Sequence, residues 1–379
     1  MIRLSSILLI CLSSFIAFAQ DSTSTPKKLD VKIGGALRFN YNNSSWKPNQ
    51  RKRGGDFGFE TFRINVDATY GDWEIHADQR IYAQDFGGTF LKYGWFQYNI
   101  DSTQHLKVGL IPAYFGAKQF NSHSWFFQLP FYIGFEDDHD MGLSYSISKP
   151  KFDLDIGYYK NAEEYAFSDN SSISDSRYAY DFSGDNRETH QANIRFNYKI
   201  KGNANHLIGL SQQYGGIWNN NTQAFGSQAA IGVHYDATFK RFNIKAQALR
   251  YQNVVNDTAG ANTDIIEMTA YGFPYNTAAS GAIYSIGISY DFPIKKGPIS
   301  SIQLYNDYSY MAKDVASFEA TEMNVLGALV SADPFYAYVD YAMGKHQPWL
   351  GPQWTNALAS GDASNSWESR FNINFGFYF

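Results

Sequence analysis

Beyond its first nineteen residues the chain has no cysteine, because the only one is Cys11. Disulfide frameworks and thiolate metal centres are thereby excluded from residue 20 onward. Long apolar runs are missing as well. Past the leader, no stretch approaches the roughly 18–20 residues that a membrane-spanning helix requires. Charge is sparse: 18% of residues are Asp, Glu, Lys or Arg, and the formal net charge is −5, which argues against nucleic acid as a partner. Neither a G-x-S-x-G elbow nor an H-E-x-x-H pair is present, so the common hydrolase constellations have no foothold and no enzymatic activity is expected. No compositional break separates a second domain.

The leader itself has the anatomy of a secretory signal: Arg3, an apolar segment Ile7–Phe18, and the A-x-A cleavage pattern Ala17-Phe18-Ala19. Cys11 is not a lipidation site in this reading, since Ile10 precedes it where a small residue is needed. Residues 1–19 are therefore assigned as a signal peptide and 20–29 as a short polar periplasmic linker, leaving 30–379 for the folded part.

What the chain does have is aromatic residues, including 28 Tyr and 30 Phe, and a two-residue rhythm. The C-terminal "SRFNINFGFYF" puts Phe371, Ile373, Phe375, Phe377 and Phe379 on alternate positions, with Arg370, Asn372, Asn374 and Gly376 between them. Strand side chains alternate faces, so this is a ribbon with one greasy and one polar side. "FRINVDATY" repeats the pattern with Phe62, Ile64 and Val66 against Arg63, Asn65 and Asp67. "WEIHADQRIY", "NIRFNYKI" and "IYSIGISYDF" do the same. The segments Thr89–Ile100 and Thr321–Val330 are not cleanly two-faced. Short turns, at Gly71-Asp72, 101–104, 149–150, 201–205, 240–241, 293–298 and 332–334, interleave with longer polar loops near 41–56, 86–88, 116–138, 161–188, 218–225, 252–279, 312–319 and 346–365. Prolines fall in these connections, as a hydrogen-bonded ladder demands, except Pro112 near a strand end. Seven short and eight long connections imply sixteen strands, with both ends on the short-turn, periplasmic rim. The expected fold is all-β: a transmembrane antiparallel β-barrel of about sixteen strands in the bacterial outer membrane, its greasy face on lipid.

A barrel of this size leaves an aqueous interior. The pattern projects Arg38, Arg63, Arg80, Lys107, Arg195, Lys199, Lys245 and Arg370 onto the channel wall, together with Asp67, Glu74, Asp78, Asp153, Asp155, Asp236 and Asp340. Such groups set selectivity for small hydrophilic solutes or ions. The loop after strand 5, "GAKQFNSHSWFFQLPFYIGFEDDHD", is too apolar for an external loop. It is expected to fold inward as a constriction loop carrying Lys118, Trp125, Phe126, Phe127, Glu136, Asp137, Asp138 and Asp140, with Arg38, Arg63 and Arg80 as partners of its acids. The same acids with His139 offer oxygen ligands for a divalent cation, but their spacing matches no calcium loop, and neither metal nor cofactor is expected.

The stretches "FETFRINVDATYGDWEIHADQRIY", "FLKYGWFQYNI" and "LKVGLIPAYFG", the last with Gly109, Pro112, Phe115 and Gly116, resemble the phosphate-selective porin O/P family in its Bacteroidetes form. The resemblance implies a sixteen-stranded porin, assembled as a homotrimer, that passes small solutes passively. Phosphate selectivity in that family rests on dense basic residues at the constriction, whereas this loop has Lys118 but ends in four acids, so phosphate is not carried over. The terminal Phe379 is similar to the C-terminal signal that the barrel assembly machinery recognises. Two other classes stand beside the porin: a structural or adhesive barrel, and a barrel hydrolase, for which Ser122-His123-Ser124 is the stretch to inspect.

Overall fold

The computed structural model describes residues 27–118, 120–163 and 174–379. The expected signal peptide, 1–19, and most of the expected linker, 20–29, lie outside the described residues. Sixteen strands form one closed antiparallel barrel: β1 (Leu29–Ser44), β2 (Asp56–Tyr70), β3 (Trp73–Tyr82), β4 (Thr89–Asp101), β5 (Gln104–Pro112), β6 (His139–Ser148), β7 (Phe152–Asn161), β9 (Asn186–Lys201), β10 (Asn205–Asn219), β11 (Ala224–Phe239), β12 (Phe242–Val254), β15 (Ser280–Lys296), β16 (Ile299–Lys313), β17 (Thr321–Ala332), β18 (Phe335–Lys345) and β19 (Glu368–Tyr378). The remaining strands, β8 (Asp181–Phe182), β13 (Ile265–Thr269) and β14 (Tyr275–Ala278), make a small separate sheet. Each barrel strand pairs with its chain neighbours, and β19 closes on β1 with Phe375 opposite Phe39. The terminal residue completes the seam: Phe379 N–H donates to Gly35 O at 3.1 Å and Gly35 N–H to Phe379 O at 2.8 Å. Closure leaves no edge strand, which is what a sheet in hydrocarbon requires.

Short connections at 71–72, 102–103, 149–151, 202–204, 240–241, 297–298 and 333–334 lie on one rim with both ends of the barrel chain. Those at 45–55, 83–88, 113–138, 162–185, 220–223, 255–279, 314–320 and 346–367 lie on the other. The interleaving read from the sequence is the one observed. Pro112 is the last residue of β5. Pro293 is not in a turn: it sits inside β15, just before the ladder slips register between Pro293 and Lys296.

The outer surface is a band of exposed apolar side chains, such as Ile75, Phe96, Leu143, Ile194, Leu210, Val233 and Ile286, on the lipid face. Two segments break the alternation for identifiable reasons. In β4 a bulge opposite Asp78 and Gln79 shifts the phase, because Asp78 pairs with Tyr93 and Gln79 with Leu91. Lys92 is the extra residue, and its side chain is buried inside. In β17 the outer-rim half is reversed: Met323 and Val325 face a buried cluster inside the barrel, while Asn324 and Glu322 face outward. There Asn306 Nδ2 donates to Asn324 Oδ1 at 2.6 Å and the Tyr308 hydroxyl to Glu322 at 2.8 Å, so these outward polar groups satisfy one another.

A loop-divided lumen as the candidate functional site

The connection 113–138 leaves β5 and returns to β6, its ends joined by Ala113 N–H to Asp138 O at 2.9 Å. It does not cap the rim. It crosses the interior and docks on the opposite wall. Asp307 of β16, almost wholly buried, accepts from His123 N–H at 2.8 Å, Ser124 N–H at 2.7 Å and His123 Nδ1 at 2.9 Å. Gln128 Nε2 reaches the carbonyls of Ile286 and Tyr308 at 3.0 and 3.1 Å, and Leu129 N–H reaches Ser309 Oγ at 3.2 Å. A third wall adds Lys245, whose Nζ donates to Phe120 O and Ser122 O at 2.6 and 3.1 Å. Gly287 makes this approach feasible, since a Cβ there would collide with Asp307 Oδ1.

Around the loop, aromatic side chains fill the outer half of the barrel. Phe127 stacks on Phe131 at 4.1 Å, and Phe131 meets Tyr180 at 5.2 Å. Tyr180 in turn touches Tyr275 of β14 and Tyr271. Trp349, Phe273, Trp354 and Phe86 extend the cluster toward the outer rim. The loops thus supply a dry core inside the barrel, and this is why Met311, Met323 and Val325 face inward.

Two sizeable cavities flank the loop among the described residues. The larger, about 1020 Å³, is bordered at the periplasmic end by Gly34 and Phe379 and at the outer end by Gln50 and Asp56. The smaller, about 600 Å³, holds His105, Lys107, Lys118, Asp155, Arg195 and Lys245. Five cationic and five acidic side chains line the larger one, Arg38, Arg63, Arg80, Lys92 and Arg370 with Asp56, Glu60, Asp67, Asp78 and Asp137, and the terminal residue Phe379 adds its α-carboxylate. Side-chain formal charge balances, but pairing does not. Arg38 binds Glu60 at 2.6 Å, Arg80 binds Asp78 at 3.2 Å, and Lys92 binds Asp137 at 2.7 Å. Asp56 is held by Arg53 at the rim and Asp67 by His76, each at 2.6 Å. Arg63 and Arg370 make no ion pair among the described residues. Arg63 lies 5.3 Å over the Tyr378 ring, and Arg370 lies 5.2 Å over Trp46 with Nε donating to Ser44 Oγ at 3.1 Å. Arg38 covers Trp125 at 4.5 Å, and the Tyr178 ring is flanked by Arg80 at 4.6 Å and Lys92 at 4.4 Å.

The other projected wall residues also have defined places. Arg195 binds Asp155 at 3.0 Å, Lys199 and Lys118 share Asp153 at 2.8 and 3.2 Å, and Lys107 lies over Trp95 at 4.5 Å. Trp125 stands near Tyr338 while Phe126 is buried in the core.

The acids of the inward loop do not meet Arg38, Arg63 or Arg80: Arg38 and Arg80 already have carboxylate partners in the wall, and Arg63 lies over the Tyr378 ring. Instead they diverge. Glu136 is enclosed and accepts from Asn121 N–H at 3.0 Å; burial pushes its carboxyl up to about 8. Asp137 goes to Lys92, a residue the sequence pattern missed because the bulge hides its phase. Burial alone would raise Asp137, but the Lys92 ammonium and the donated Tyr178 hydroxyl, at 2.5 Å, hold it below the usual carboxylate range. Asp138 turns toward Asp140, which belongs to β6 rather than to the loop. Burial, then the neighbouring carboxylates, push Asp138 well above the ordinary range. His139 is not part of an acid cluster: its Nδ1 meets Asp137 O at 3.1 Å and its ring stacks on Tyr93.

His123 does not pair with either flanking serine. Both ring nitrogens are engaged, Nδ1 by Asp307 and Nε2 by Asn243 Oδ1 at 2.7 Å, so the stretch Ser122-His123-Ser124 makes no nucleophile–base pair.

A closed sixteen-stranded barrel with an apolar exterior, a polar interior wall and an inward loop is an outer-membrane β-barrel. No protein-family model matches the chain, and no curated protein matches it in sequence. Among solved structures, the chain is similar to the outer membrane channel DcaP of Acinetobacter baumannii, with TM-score 0.60 at 12% identity over 93% of this chain and 98% of that one. It is also similar to the anion-selective porin from Comamonas acidovorans, with TM-score 0.58 at 13% identity over 93% and 100%. The outer-membrane protein OmpT of Vibrio cholerae gives TM-score 0.56 at 13% identity over 94% and 99%.

Proposed function

We propose that the protein is an outer-membrane diffusion channel for small hydrophilic solutes, with a preference for anions. The observation that carries this reading is the larger cavity, which follows the β1, β2 and β19 wall between the two rims and is narrowed by the docked loop. Its anion preference comes from pairing rather than from net charge. Three cations are neutralised locally by carboxylates, whereas Arg63 and Arg370 keep theirs for whatever enters. Arginines presented beside rings and without a carboxylate partner favour compact anions and planar carboxylates over cations. The likeness to an anion-selective porin supports the same direction. The resemblance to the O/P porins extends, in this reading, to architecture and not to phosphate, since the loop acids leave no dense basic constriction.

The test is the reversal potential across a planar bilayer under a KCl gradient. The unsubstituted channel is expected to pass chloride over potassium, and Arg63→Gln with Arg370→Gln to move the potential toward zero or past it. A cation-preferring channel, or a double variant unchanged in selectivity, contradicts the assignment.

A further inference from the structure

Away from the permeation path, the root of the inward loop carries a group of acids that the channel reading does not use. Asp138 ends the loop, Asp140 lies on β6, and Asp181 comes from β8 in the outer-rim loop 162–185. One carboxylate oxygen from each lies within 4.8 Å of the other two, and the three residues are buried, with Asp140 at 1% and Asp181 at 0% exposure. Part of the group is accounted for: Asp181 Oδ2 accepts from Arg177 at 2.8 Å, and Asp138 Oδ1 accepts from His139 N–H at 2.7 Å. The rest is not. Among the described residues, Asp140 Oδ1 and Asp181 Oδ1 are buried oxygens with no hydrogen-bond donor. Thr269, fully buried and directly across the ladder from Asp181, also has a hydroxyl with no partner among the described residues. Glu163 stands close to Asp181, within hydrogen-bonding reach of its carboxylate. Buried carboxylates in this arrangement repel one another and lack solvation unless positive charge lies between them.

We propose that Asp138, Asp140 and Asp181 hold a calcium-type divalent cation that fastens the root of the inward loop to the outer-rim loop. The donors are all hard oxygens, with no imidazole or thiolate in the trio, which suits calcium or magnesium and not zinc. Oxygens within 4.8 Å of each other match the span across an ion with ligands at about 2.4 Å, and calcium accepts such irregular shells more readily than magnesium does. A neighbouring cavity of about 10 Å³, bordered by Asp138 and Glu188, is the size of one water and supplies room for a further ligand. The competing arrangement is a set of shared protons, which would hold the same acids together without metal. This inference is independent of the channel reading, since a barrel of any function would be tied in the same way.

The experiment uses the full mature chain in detergent, stripped with EGTA and titrated calorimetrically with CaCl2 and, separately, MgCl2. One calcium ion per chain is expected, with a dissociation constant on the order of 10 µM to 1 mM. Thermal unfolding should fall in EGTA and recover when calcium is restored. Asp140→Asn should weaken binding at least tenfold, yet be no less stable than the unsubstituted chain when both are in EGTA, because it removes one uncompensated charge. Asp138→Asn serves as the second variant should the first fail to fold. Absence of binding overturns the proposal, as does binding that both variants retain. A melting temperature indifferent to chelator but rising on acidification identifies shared protons and overturns it equally.

Discussion

Replacing residues 115–136 by a short Gly/Ser turn is expected to raise single-channel conductance several-fold while leaving a folded barrel. The ends of the loop already meet, through Ala113 N–H and Asp138 O, so a short turn closes the gap without strain in the wall. The loop separates the cavities of about 1020 and 600 Å³, which share Phe120 and Asp137 as a common border. Removing it merges them and takes away the Phe127–Phe131 stack that plugs the outer half. The sixteen-strand ladder does not depend on the loop, because every strand keeps both neighbours. Bilayer recordings give the conductance, and circular dichroism of the same sample shows whether the sheet persists. An unchanged conductance in a folded variant would mean that solutes pass elsewhere or not at all.

Asp307→Ala is expected to be the most costly single substitution in the interior, at about 3–5 kcal/mol, the range for removing one partner from a buried charged network. Its carboxylate receives two backbone N–H groups and the His123 ring, and all three lose their acceptor together. On the wall side the backbone at Gly287 lies close, since a Cβ there would collide with Asp307 Oδ1 and come within 3.0 Å of His123 Nδ1. Asp307→Asn keeps an acceptor and should cost roughly 1–2 kcal/mol. Urea unfolding followed by tryptophan fluorescence checks the order. The same detachment should make the Ala variant's open current noisy, since the loop is then tethered chiefly by Lys245 and Gln128. Equal stability of the two variants would contradict the anchoring role.

Most of the architecture was legible because the physics of a barrel in lipid writes itself onto alternate residues. Phe371 through Phe379, or Ile194 through Ile200, can be assigned to lipid from the sequence, since one face has a single solvent along its length. The failures have local causes. At Lys92 a bulge adds a residue, so the alternation changes phase and a cation of the lumen looks misplaced. In β17 the inward side chains meet packed loops near the outer rim rather than water, so Met323 and Val325 are apolar where a wet wall would be polar. The sheet of β8, β13 and β14 was invisible because its short strands lie within stretches whose polarity marks them as loops. At the site, the inward course of the loop followed from its greasy composition. Its partners did not, because which carboxylate meets which cation depends on register across the lumen. Sequence reasoning offered Arg38 and Arg80 to the loop acids, yet Glu60 and Asp78 on the wall reach them first.

The most direct measurement is the current through the purified, unsubstituted protein in a planar bilayer with symmetric KCl. Discrete conductance steps, smaller than those of the loop-excised variant and persisting at low voltage, are the predicted result. A folded, inserted barrel that gives no steps would contradict the presence of a wet path from rim to rim.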